Sequence, residues 1–167
     1  MSATKTRPSL PKRPVRETVP PMPTFEMLDA THRAVMETLE RLQQWVQALD
    51  DQGITPATRA TAEEICSFFD GSARAHHAAE EQRVFPSLLS SGNAVLVHHV
   101  RRLQQDHGWL EEDWLELQPQ LRAVVEGYNW YDLDFLRAAV PVFTDLYRDH
   151  ISLEENVVYP ESRRRQA

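Results

Sequence analysis

Residues 24–50 read TFEMLDATHRAVMETLERLQQWVQALD. Thr24 is a suitable N-cap. After it Phe25, Leu28, His32, Val35, Leu39, Leu42, Val46 and Leu49 recur at alternating spacings of three and four, one apolar stripe along one helix face. Asp50, Asp51 and Gly53 end the stretch. One histidine stands inside the stripe, and the same arrangement returns three more times.

Thr55 caps a second helix with Pro56 at its first position, where a missing N–H costs nothing. It runs to about Leu89 and stops at Ser90-Ser91-Gly92; Ile65, Phe69, Ala73, His76, Glu80 and Val84 share its face. The third stripe is Leu96, Val100, Leu103, His107, Leu110, Trp114, Leu117 and Leu121; Pro119 predicts a kink or interruption near its end, and Gly127 closes it. Asp132 or Asp134 caps the fourth helix, with the face Leu136, Val140, Phe143, Tyr147, His150, Glu154 and Val157. Pro141 predicts a bend in it and Pro160 its end. No alternating strand pattern competes. Four long amphipathic helices with short links predict an all-α fold, an antiparallel up-down-up-down four-helix bundle. The bundle covers residues 24–161, with no second domain and no convincing repeat.

The flanks differ from the bundle. Residues 1–23 hold Pro8, Pro11, Pro14, Pro20, Pro21 and Pro23, with Lys5, Arg7, Lys12, Arg13 and Arg16 against Glu17 alone. Such a segment reads as a disordered, Pro-rich basic tail, able to touch an acidic protein partner. Residues 162–167 read as a short basic C-terminal tail carrying Arg163, Arg164 and Arg165. Across all 167 residues the formal charge is −7. An acidic chain is a poor match to nucleic-acid phosphates. No apolar run reaches the roughly 18–20 residues of a membrane span, the N-terminus lacks a secretory signal, and Cys66 is the single cysteine. A cytoplasmic protein with a core-packing Cys66 is the expectation. Five glycines and no GxGxxG or GxxxxGK[ST] exclude the familiar nucleotide loops.

Seven histidines carry the chemistry. His32, His76, His107 and His150 each lie on an apolar stripe, and His76 and His150 each bring a carboxylate one turn on, Glu80 and Glu154. At about 1.5 Å per residue, all four lie roughly 10–20 Å from the same end of an antiparallel bundle. Burying two carboxylates without counter-charge costs several kcal/mol each, yet no Lys follows Lys12 and no Arg falls on a stripe. Bound cations supply the missing charge. Four imidazoles and two carboxylates exceed one tetrahedral zinc site. They suit two ions, each held by two His and bridged by the two Glu, and mixed N/O donors favour iron or manganese. The neighbouring set Asp70, Arg74, His77 and Glu81 reads as solvent-facing, and His98 and His99 as surface or rim groups. Tyr147 reads as a packed core residue, and Trp109, Trp114, Trp130 and Tyr131 as packing and end-sealing aromatics.

The segments DATHRAV (29–35), HHAAEEQRVFP (76–86), DHGWL (106–110) and DHISLEENVVYP (149–160) resemble the hemerythrin family in its His-His-Glu cation-binding form. The likeness covers about residues 25–160. It implies a non-haem di-iron centre with His32, His76, Glu80, His107, His150 and Glu154 as ligands and the carboxylates bridging. Oxygen carriers of the family have a further histidine where this chain has Leu103, which leaves a position open, or filled by water, Glu111 or another group. They also place the last carboxylate five residues after its histidine, which would select Glu155; the stripe selects Glu154. The expected function is binding or sensing of O2 or a related small oxidant, NO or peroxide, rather than an enzyme. The alternatives are a redox enzyme (peroxide or NO reduction, iron supply for repair) and a metal-stabilised regulatory bundle. A ferritin-type oxidase is disfavoured, because no ExxH segment occurs.

Overall fold

The computed structural model describes residues 23–167, and every regular element among them is helical. The expected tail, and any partner held through it, lies outside the described residues apart from Pro23. Helix α1 spans Phe25–Gln52, α2 Pro56–Asp70, α3 Ser72–Ala79, α4 Phe85–Leu89, α5 Ala94–Glu126, α6 Leu133–Leu153 and α7 Tyr159–Gln166. Two π-helical turns, Glu80–Val84 and Glu154–Val158, join α3 to α4 and α6 to α7. The elements thus form four rods: α1, α2 to α4, α5, and α6 to α7. Helix α1 packs on α2 and α6, and α5 packs on the same two.

Local chemistry sets the boundaries. Thr24 accepts from the Met27 amide at 3.2 Å, and Thr55 and Thr58 cap each other's amides ahead of α2. Asn93 caps α5, and Asp132 rather than Asp134 caps α6 through the Phe135 amide. Gly127 ends α5 in the left-handed conformation at φ 79°. Gly71 separates α2 from α3, and a Cβ there would stand 2.9 Å from Ser67 O, so the junction needs a residue without a side chain.

The stripes are buried as expected, apart from the half-buried Phe25 and from Val157. Val157 is 39% exposed, and Val158 is buried in its place. The π turn bonds i to i+5 and so lengthens the repeat of the buried face. One of the prolines also behaves differently from expectation. Pro119 and Pro141 lie inside uninterrupted helices. Pro160 does not end the fourth rod but opens α7, which carries the expected C-terminal tail on to Gln166. Pro86 opens α4 in the same way. A wide turn just before a proline relieves the clash of its ring with the preceding turn.

Two apolar clusters fill the interior. The larger includes Val35, Leu39, Phe69, Ala73, Leu110, Trp114, Phe143 and Tyr147. The smaller includes Leu28, Val84, Phe85, Leu103, Val158 and Tyr159. On each rod the change from one cluster to the other falls at the His/Glu layer: Leu28 to Val35, Ala73 to Val84, Leu103 to Leu110, and Ile151 to Val158. One polar layer therefore crosses the bundle between two apolar ones. Trp109 and Trp130, expected to seal the ends, are 48% and 58% exposed. Trp114 is buried, and Tyr131 packs partly buried on the larger cluster. No described helix is long and apolar enough to cross a membrane.

Candidate metal centre

The polar layer brings together all six residues singled out from the stripes. His32, His76, Glu80, His107, His150 and Glu154 are all buried, the two carboxylates fully so. Their ligating atoms form two overlapping quartets, His32/His76/Glu80/Glu154 and Glu80/His107/His150/Glu154, each with its atoms within 4.8 Å of one another. His32 Nε2 stands 2.9 Å from Glu154 Oε2 and 3.0 Å from His76 Nε2. His76 Nε2 is 3.1 Å from Glu80 Oε1, His107 Nε2 3.1 Å from Glu80 Oε2, and His150 Nε2 3.0 Å from Glu154 Oε1.

The outward nitrogens are tied to carboxylates. His32 Nδ1 pairs with Glu155 Oε1 at 3.0 Å, His107 Nδ1 with Glu81 Oε1 at 2.8 Å, and His150 Nδ1 with Asp106 Oδ2 at 3.4 Å. A proton on Nδ1 leaves the Nε2 lone pair facing inward, the arrangement that makes imidazole a metal ligand. Glu81 was expected to face solvent; it is part-buried and also receives the Gln104 amide at 2.9 Å. The choice between Glu154 and Glu155 resolves by role: Glu154 lies inside the layer, and Glu155, its side chain 44% exposed, orients His32 from outside.

His77 corrects the sequence reading most sharply. Expected on a solvated face, it is 4% exposed. Its ring stacks on His107 with centroids 4.0 Å apart and lies 5.8 Å from that of His150. His76 and His77 are thus both buried although they are neighbours in α3. Burial, with the neighbouring His107 and His150, lowers its pKa to about 2, so the ring is neutral. Glu111 is half-exposed and reaches only 3.9 Å from His77 Nδ1. His98 and His99 stay at the surface, and Cys66 is core, its thiol pushed up to about 12 by burial. Tyr159 was not singled out from the sequence. It is buried, its ring stacks on His32 at 5.3 Å, and its hydroxyl donates to Glu80 Oε1 while standing 3.3 Å from His32 Nε2. Only its place before Pro160, matching Phe85 before Pro86, marked it.

The donors fit a cation. Glu80 Oε2, His107 Nε2, His150 Nε2 and both Glu154 oxygens are buried without a hydrogen-bond partner, although they stand about 3 Å from one another's lone pairs. Burial raises the Glu80 carboxyl, but the imidazoles of His107 and His76 outweigh it and hold Glu80 well below the ordinary carboxylate range. Burial and the charge of Glu80 push Glu154 well up. Protons alone satisfy this layer only by neutralising one carboxyl, whereas positive ions between the quartets satisfy both.

An all-helical bundle with a buried His/Glu layer of this kind defines a metal-binding helical protein. A family profile described as "Hemerythrin HHE cation binding domain" matches residues 24–162, and the chain belongs to that family. A protein of Haemophilus influenzae, named only as an uncharacterized protein, is 31% identical over 131 residues, covering 78% of this chain and 74% of that one. No solved structure gives a significant match.

Proposed function

We propose that this chain is a non-haem di-iron protein that binds or senses O2 or a related small oxidant, NO or peroxide. The observation that carries the reading is the pair of quartets sharing Glu80 and Glu154. One ion would be held by His32 and His76, the other by His107 and His150, with the two carboxylates common to both. The imidazole–carboxylate mixture suits iron. When bound, iron supplies a reversible change of oxidation state and a coordination position for a small molecule.

The chain supplies the rest. Glu155, Glu81 and Asp106 fix three imidazoles in the tautomer that ligates. Tyr159 keeps its proton, since burial and the charges of Glu154 and Glu80 hold its ionisation far above the usual range. Its hydroxyl is thus a fixed donor beside His32. The apolar clusters on either side keep water out of the layer. The up-down-up-down arrangement expected from the sequence belongs to the same reading, because it sets the four histidines at one height. So does a cytoplasmic setting, in keeping with the lone, buried Cys66.

A redox enzyme acting on peroxide or NO is the second reading. It is favoured by a cavity of about 110 Å³ that reaches Tyr147 and His77 beside the layer, walled by Phe69, Leu110 and Trp114. Metal analysis with anaerobic and aerobic optical spectra separates these readings. The expected result is about two irons per chain and a spectrum that changes reversibly with O2 or with NO; consumption of peroxide or NO over many turnovers selects the enzyme. A centre unresponsive to all three overturns both. Removing residues 1–23 tests a partner surface apart from the centre: partner binding is expected to fall while the optical response stays.

A further inference from the structure

We infer that His77 is a fifth imidazole ligand, assigned to the ion position of His107 and His150, so that the two positions are unequal. The inference rests on the two-ion reading above.

Three observations carry it. The ligating atoms of His77, His107 and His150 lie within 4.8 Å of one another, a third cluster overlapping the second quartet. His77 Nδ1 is buried without a hydrogen-bond partner, and Glu111 Oε1 at 3.9 Å lies beyond reach. A histidine kept in a core for packing normally has its ring nitrogens paired; here His77 Nδ1 is unpaired, and so are His107 Nε2 and His150 Nε2 of the same cluster. Finally, the matching position in the other half of the layer is Ile151, which packs in the larger apolar cluster. Only one ion position can therefore gain a third imidazole.

The assignment answers the gap read at Leu103, which is fully buried in the smaller cluster and offers no donor. The missing histidine of the third rod is replaced by one from the second. It would also make the two positions differ in how many imidazoles hold them. With His77 as a ligand, the His107/His150 position would gain its third imidazole from the side of the cavity that His77 lines. The His32/His76 position, with two imidazoles and the Tyr159 hydroxyl 3.3 Å from His32 Nε2, would then be the one left open.

The test compares the full chain with H77A and H77Q, checked for unchanged helicity and titrated anaerobically with ferrous iron against a competing chelator. Both variants are expected to keep one ion at wild-type affinity and to weaken the other by ~10-fold or more. Free imidazole, entering through the cavity, is expected to restore the second ion in H77A but not in H77Q, where the glutamine fills the space. Two ions bound at wild-type affinity in both variants overturn the assignment. So does an equal weakening of both ions without an imidazole response, the sign of a packing role. Should H77A lose helicity, H77Q carries the same comparison. A wild-type chain that itself takes up fewer than two ions overturns the two-ion reading, and the ligand assignment with it.

Discussion

The two carboxylate-bearing turns are written with one phrase, HHAAEEQRVFP at 76–86 and HISLEENVVYP at 150–160. Where the letters agree, the structure repeats. Each first Glu is fully buried, each second Glu binds the Nδ1 of the histidine on a neighbouring rod, each valine is buried, and each proline follows a π turn. Where the letters differ, the halves part. Phe85 stacks on His107 where Tyr159 stacks on His32 and adds a hydroxyl. His77 enters the layer where Ile151 packs. Asp106 reaches His150, while Thr31, the matching neighbour of His32, turns its hydroxyl to Met27 O at 3.2 Å. One repeated phrase thus builds two overlapping quartets, and single side chains make them unequal.

The most severe way to break the comparison is to remove a group common to both halves. Glu154→Gln keeps the shape but not the charge, so iron content is expected to fall from about two ions per chain to below one. His32→Gln and His107→Gln are each expected to cost one ion only. Elemental analysis after anaerobic loading decides; equal losses from all three would mean that the positions do not share Glu154. Chelation tests the same dependence through stability. Ions bound at a hundred times their dissociation constant contribute about 2.7 kcal/mol per site. Loss of each ion is then expected to lower Tm by about 5–10 °C, read by thermal circular dichroism. A Tm indifferent to chelation would show a layer satisfied by protons.

The fold was legible because burial of an amphipathic face leaves a periodic trace, and His32, His107 and the two HxxxE pairs sat on that trace. The π turns left no such trace. They are set by backbone pairing near Pro86 and Pro160, and a straight-helix projection places Val157 inside and His77 outside. For the same reason the roles of Glu81 and Glu155 were hidden: each lies about 100° from its buried neighbour on an ideal helix, and their value comes from an imidazole on another rod. The ten-residue spacing from His to Pro, His76 to Pro86 and His150 to Pro160, was the one available hint. Tyr159 was masked by chemistry rather than geometry, since a lone tyrosine beside a proline reads as packing until its hydroxyl is seen on Glu80.

A subtler way to sharpen the comparison is to remove the outer carboxylates one at a time. Glu81→Gln is expected to weaken the His107/His150 ion by ~10–100-fold and to spare the other, and Glu155→Gln to do the reverse at the His32/His76 ion. Chelator competition on each variant reads this directly. Crossed or equal effects would break the pairing of Glu81 with His107 and of Glu155 with His32.

The smallest expected effect comes from making the halves alike at the stacked aromatic. Tyr159→Phe leaves the ring on His32 and deletes the hydroxyl, copying Phe85. In the metal-free chain that hydroxyl serves a Glu80 held ionised by its imidazoles, and a hydrogen bond to a charged group contributes about 1.5–3 kcal/mol. In the loaded chain Glu80 has cations as partners, so the loss is expected to shrink to about 0.5–1.5 kcal/mol, the net of an ordinary hydrogen bond. The Tm deficit of Tyr159→Phe against wild type should therefore be larger without metal than with it. Iron content should stay unchanged, because the ring still seals the layer. The response to O2 or NO should weaken, because the donor nearest the open position is gone. A deficit that grows on loading would instead make the phenol oxygen a ligand in its own right, and the asymmetry between Phe85 and Tyr159 would then lie in the donor set rather than around it.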